Sequence, residues 1–90
     1  MKLTRELLQN RKEMSALLRD LWQSLIPEFT PNESQFFLWL DRYGAEIAER
    51  AVRVTGTASS KRRALGQPMD ADSLVRYASG TMRHMERDSA

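Results

Sequence analysis

Cations carry most of the chemistry this chain offers. The run Ser59-Ser60-Lys61-Arg62-Arg63 is its only dense cluster of charge, with no acidic neighbour for several residues on either side. Cations without such neighbours attract phosphate. Arg50 and Arg53 stand three apart just before the run. Arg76, Arg83 and Arg87 follow it at spacings of seven and four, which is one stripe of a helix. If two helices flank the run, these residues merge into one basic surface that tracks a phosphate backbone. The competing expectation is that Arg50, Arg53 and Arg76 pair with Glu46, Glu49 or Asp72 in surface networks worth little. Base-specific readout lacks its usual side chains, because Gln67 is the only Asn or Gln near the basic helices.

Other reactive groups are sparse. His84, the only histidine, has neither a Ser or Cys at nucleophile–base spacing nor a second His for a metal. Asp70 and Asp72 lie at a helix start, where carboxylates cap or stabilise the N-terminal dipole, and no further oxygen ligands follow at calcium-loop spacing. Gly44, Gly56, Gly66 and Gly80 are too scattered to cradle a phosphate. No cysteine is present, which excludes disulfides and thiolate metal sites. The expectation is a protein that is not an enzyme and uses no cofactor or metal. Trp22 and Trp39 have faces that stack on bases, but both fall on the apolar stripe of their helix and read as core. Met69, Met82 and Met85 fill the core or offer an adaptable apolar surface.

Ninety residues, 41% hydrophobic and 29% charged, fit one globular domain spanning residues 1–90. The net charge of +2 is unevenly spread. Residues 1–49 hold six Lys/Arg against eight Asp/Glu, and residues 50–90 hold eight against four. An acidic half joined to a basic half suggests that one face meets an anion. No apolar run approaches the ~20 residues that span a bilayer. The start Met1-Lys2-Leu3-Thr4-Arg5-Glu6 lacks the apolar stretch of a signal peptide, so no membrane partner and a cytoplasmic location are expected.

Four helical patterns must position these groups: 4–26, 31–43, 45–55 and 71–86. In the first, Leu7, Met14 and Leu21 share one heptad position and Arg11, Leu18 and Leu25 another, up to Pro27. Thr30-Pro31-Asn32-Glu33 has the form of a capping box with Pro31 at the first helical position. Phe36, Phe37, Trp39, Leu40 and Tyr43 follow, up to Gly44. The third pattern runs to Gly56 as its C′ residue. Residues 57–69 read as a basic connecting loop, with at most one helical turn through Lys61–Leu65 closed by Gly66 and Pro68. Leu74, Val75, Ala78, Met82 and Met85 share a face of the last helix, and residues 87–90 read as a frayed tail. With no period-two segment, the fold class is all-α: a small four-helix domain with a long N-terminal helix.

Trp39-Leu40-Asp41-Arg42-Tyr43-Gly44-Ala45-Glu46-Ile47 resembles part of the DnaD-like domain of primosomal and phage replication proteins. There a Trp-bearing helix runs into a G-x-x-x-I helix, and Leu74-Val75-Arg76-Tyr77-Ala78 looks like the counterpart of the family's short Tyr-containing helix. The resemblance covers residues 36–85 and carries over Trp39, Gly44, Ile47, Ala51 and Tyr77. It implies a helical module that binds DNA and a replication partner.

The function expected is thus a non-enzymatic nucleic-acid-binding or DNA-replication accessory module. Its phosphate contacts are Lys61, Arg62 and Arg63 in the loop with Arg50, Arg53, Arg76, Arg83 and Arg87 on the helices. The alternative is a protein-interaction adaptor or inhibitor of phage or mobile-element type that docks on a host protein. Leu3, Leu7 and Leu8 extend beyond what so small a domain covers, and they suggest a homodimer through the first helix.

Overall fold

The computed structural model describes residues 2–89, with side chains from residue 10 to residue 88. Four helices follow one another: α1 (Lys2–Leu25), α2 (Glu33–Tyr43), α3 (Ala45–Ala64) and α4 (Ala71–Ser89). No strand occurs among the described residues. The fold is all-α with a long N-terminal helix, as the periodicity predicts. Helix α3 is the centre: it packs against α1, α4 and α2. Helix α2 bridges the other three, and the body is flat, 52 × 28 × 17 Å.

Aromatic side chains from α1 and α2 fill the middle. Trp22 stacks on Trp39 at 5.7 Å between centroids, and Phe36 stands edge-on to both at 6.2 and 5.8 Å. All three are buried with Leu18, Ile26, Ala48, Ala51, Val52, Leu74, Ala78 and Met82. Removing each large side chain from water contributes ~1.5–3 kcal/mol. Their indole N–H groups are satisfied while doing so: Trp22 Nε1 donates to the Phe29 carbonyl at 2.6 Å, and Trp39 Nε1 to Ser79 Oγ at 2.9 Å. Both tryptophans are therefore core, and neither is available for bases. Met82 is buried and Met69 and Met85 pack against the core, as fillers.

The boundaries of the second, third and fourth helices depart from the sequence expectation. Asn32, not Thr30, caps α2: its Oδ1 accepts from the backbone N–H of Gln35 at 3.1 Å, so the helix begins at Glu33. Asn is as good a cap as Thr, and Pro31 is buried just outside the helix instead of opening it. Gly44, at φ 88°, ends α2 and starts α3, where a side chain would be strained.

The larger correction is α3, which does not end at Gly56. It continues through Lys61, Arg62 and Arg63, so residues 57–64 are helix rather than a basic loop. Gly56 serves close packing: a Cβ there would lie 2.8 Å from Leu25 Cβ of α1. The helix closes at Gly66 (φ 74°), whose N–H bonds Arg63 O at 3.0 Å while that of Gln67 bonds Arg62 O at 2.9 Å. This pair of bonds is the Schellman arrangement, with Pro68 just beyond. At the other end of the short connection, Asp70 Oδ1 accepts the Ser73 N–H at 2.8 Å and caps α4. Residues 87–89 continue α4, so the expected frayed tail is helical to Ser89.

Candidate nucleic-acid interface

In α3 the buried residues Ala48, Val52, Thr55 and Ser59 make one line, and Arg50 lies two residues from Ala48 and Val52, close to the opposite face. Thr57 and Lys61 follow Arg50 by seven and eleven residues, which places all three within one narrow outward stripe. Helix α4 repeats the geometry. Leu74, Ala78 and Met82 face inward, while Arg76, Arg83 and Arg87 are exposed on the opposite side at the same spacings. The two helices pack directly on each other. Both stripes thus lie on solvent-facing sides of these two packed helices.

The eight cations expected to act together separate into three groups. Arg53 and Arg76 pair with Glu49 and Asp72 one turn earlier, at 3.7 and 3.4 Å, in fully solvated geometry that holds them weakly. Arg50, Lys61, Arg62, Arg83 and Arg87 are exposed and make no ion pair among the described residues. Lys61 and Arg62 also stand in the last turn of α3, where the helix dipole favours cations.

Arg63 is different. Its Nη1 donates to Glu28 Oε1 at 2.7 Å, and the buried Ser59 hydroxyl donates to Glu28 Oε2 at 2.5 Å. The Glu28 side chain is only 21% exposed. Burial pushes its carboxyl up, but the Ser59 hydroxyl, its own backbone N–H and the Arg63 guanidinium outweigh that and hold it below the usual range. Arg63 therefore ties the end of α3 to the α1–α2 connection and is committed to the fold.

The remaining candidates have structural partners. His84 is exposed and lies 3.3 Å from Asp88 on its own helix, and Asp70 is an N-cap whose carboxyl is held low by the Ser73 N–H and hydroxyl. Leu3, Leu7 and Leu8, proposed for self-association, lie outside the residues whose side chains are described.

In comparisons with protein-family models, curated proteins and solved structures, nothing matches the chain. Of the residues that carry the DnaD-like resemblance, Trp39 and Ala51 are buried, Ile47 packs on the core and Gly44 has positive φ, whereas Tyr77 is 40% exposed.

A second surface lies on α1, apart from the methionines and leucines that the sequence offers for contact. Met14 and Leu17 belong to the apolar pattern of α1, yet they are 45% and 68% exposed. With Leu18, Leu21, Leu40 and Ala45 they line an open trough of about 430 Å³ between α1, the end of α2 and the start of α3. Glu46 and Glu49 stand along its α3 side.

Proposed function

We propose that this protein is a non-enzymatic nucleic-acid-binding module that holds a phosphate backbone on the outer faces of α3 and α4. The observation that carries the reading is Arg50, Lys61, Arg83 and Arg87 on the outward stripes of two adjacent helices, with Arg62 exposed at the end of α3, five cations that make no ion pair among the described residues. Long cationic side chains without Asn or Gln beside them position a backbone rather than read bases. Arg53 and Arg76 join once phosphate competes for them, since their exposed pairs are weak. Because α3 continues to Ala64, the cations stand on a rigid helix and not on a loop. The DnaD-like resemblance extends the proposal to DNA replication, with a cytoplasmic location.

Titration of a fluorescent oligonucleotide against salt tests this. Five phosphate contacts give a log–log slope of about −4.5 on duplex and −3.5 on single strands. Between 50 and 200 mM salt the affinity then falls about 500-fold and 130-fold respectively. A slope flatter than about −1, or affinity that depends strongly on base sequence, overturns the reading.

The trough beside α1 favours a second reading, a protein-interaction adaptor, whose surface adjoins the first on α3, where Glu49 of the trough pairs with Arg53. Self-association through Leu3, Leu7 and Leu8 belongs with these proposals, and sedimentation at tens of micromolar checks it. A monomer there removes the dimer.

A further inference from the structure

We propose that the trough between α1, α2 and α3 is the docking site for a basic amphipathic helix of another protein. This rests on the trough alone and stands or falls apart from nucleic-acid binding. The apolar floor runs along α1 from Met14 through Leu17 to Leu21, seven residues or about 10 Å of helix, and is joined by Leu40 and Ala45. That length matches two turns of a partner helix presenting anchors at i, i+3 or i+4, and i+7. Leu17 is 68% exposed, so the floor is an open channel and not a closed small-molecule chamber. Met14 gives one wall an adaptable side chain.

Charge selects the partner. On the α1 side, Glu13 and Asp20 are exposed at four residues before and three residues after Leu17, its neighbours on the helix surface away from Met14 and Leu21. On the α3 side stand Glu46 and Glu49. Of these four carboxylates only Glu49 makes an ion pair among the described residues, the long exposed contact to Arg53. Arg11 does not offset them, because its guanidinium is bound to Asp41 and lies over the Phe37 ring, and the exposed Arg50, one turn after Glu46, leaves Glu13 and Asp20 on α1 as the more acidic border. An apolar channel with carboxylates on both sides fits a helix with Leu-like anchors and Lys/Arg flanks. A second copy of this trough is a poor occupant, since two-fold contact would set the same four carboxylates against each other. Anionic lipid is disfavoured by the same sign of charge.

The probe is a synthetic amphipathic helix of about 15 residues with Leu at the anchor positions and Lys elsewhere on the polar face, compared with its Glu-for-Lys twin. Fluorescence anisotropy against the full chain is expected to show the Lys peptide bound at least about tenfold more tightly than the Glu peptide. Leu17→Asp should weaken the Lys peptide by about tenfold or more even though it adds negative charge, and Leu17→Gln serves as a second, milder variant. The Glu46→Lys/Glu49→Lys variant should narrow or reverse the preference between peptides. Lys61→Ala, on the other surface, should leave peptide affinity within about twofold. The proposal is overturned by equal affinity for the two peptides or by no measurable binding of the Lys peptide. It is equally overturned by affinity indifferent to both Leu17 variants, or by sedimentation showing a dimer that Leu17→Asp dissolves.

Discussion

Substituting Lys61, Arg62 and Arg63 one at a time by Ala separates two roles that look alike in sequence. Arg63 is 35% exposed and Glu28 only 21%, so their contact at 2.7 Å lies between a solvated ion pair and a buried charged hydrogen bond. Exposed pairs contribute ~0.2–1 kcal/mol and hydrogen bonds to charged groups ~1.5–3, which puts Arg63→Ala at about 1 kcal/mol of destabilisation. For a domain of this size that lowers the melting temperature by about 4–8 °C. Lys61 is exposed and makes no ion pair among the described residues, so Lys61→Ala should stay within about 0.5 kcal/mol of the parent. Binding should show the opposite order. Loss of Lys61 or Arg62 flattens the salt dependence of nucleic-acid affinity by about 0.7–0.9 each, whereas loss of Arg63 leaves it unchanged. Thermal melts by circular dichroism and anisotropy titrations at several salt concentrations read both quantities on the same proteins. The reasoning is refuted if Arg63→Ala melts with the parent and flattens the salt slope as Lys61→Ala does, since the three would then act as one solvated cluster.

Two glycines give a second paired test: Gly80→Ala meets open space within α4 and should stabilise by about 0.5–1 kcal/mol. Gly56→Ala places a Cβ 2.8 Å from Leu25 Cβ, and overpacking of ~1–3 kcal/mol should cancel or exceed the same propensity gain. Denaturant midpoints that rise equally for both variants would show that α1 and α3 are not so closely packed. The carboxyls of Glu28 and Asp70 are both held below their usual range. The unfolded chain therefore takes up protons first on acidification. Their stabilisation is complete above about pH 4–5 and lost as pH falls through the depressed folded values. Glu28→Gln should flatten the acid limb of stability against pH, and an unchanged limb would remove Glu28 from the account.

The parts of the fold that were legible in sequence are those with large apolar side chains or a strong turn residue. Leu74, Ala78 and Met82 mark the inner face of α4, and Gly44 marks the junction of α2 and α3. The second half of α3 was not legible because its inward residues, Thr55, Gly56 and Ser59, are small or polar. A central helix touching three others needs small residues for close approach, and their composition is that of a loop. Their polar atoms are satisfied where sequence gives no sign: Thr55 bonds the Ala51 carbonyl and Ser59 bonds Glu28, thirty-one residues away. The trough was missed for the converse reason. Spacing places Met14, Leu17 and Leu21 on the apolar side of α1, but only the course of α2 and α3 decides how much of that side is covered.

Charge along α3 deserves to be weighed against a purely local cause. Glu46 in its first turn and Lys61, Arg62 and Arg63 in its last complement the helix dipole, each worth ~0.3–1 kcal/mol near the ends. That effect falls off within a turn, so it leaves Arg50 in the body of the helix without a reason, whereas Arg53 has its pair with Glu49. It also leaves Arg83 in the body of α4, and Glu13 and Asp20 in the body of α1. These residues add cations to the outward sides of α3 and α4 and border the trough with acid on α1. Helix stability alone would be served as well by mixing the two signs along each helix in i,i+4 pairs. Among the described residues of α3 and α4 such pairing is limited to Arg53, Arg76 and His84. The signs meet on α3, where Glu49 pairs with Arg53, but away from it Glu13 and Asp20 on α1 and Arg83 and Arg87 on α4 stand apart, which the helices' own needs do not require. That separation is the physical ground for reading one surface as facing phosphate and the other as facing a basic protein helix.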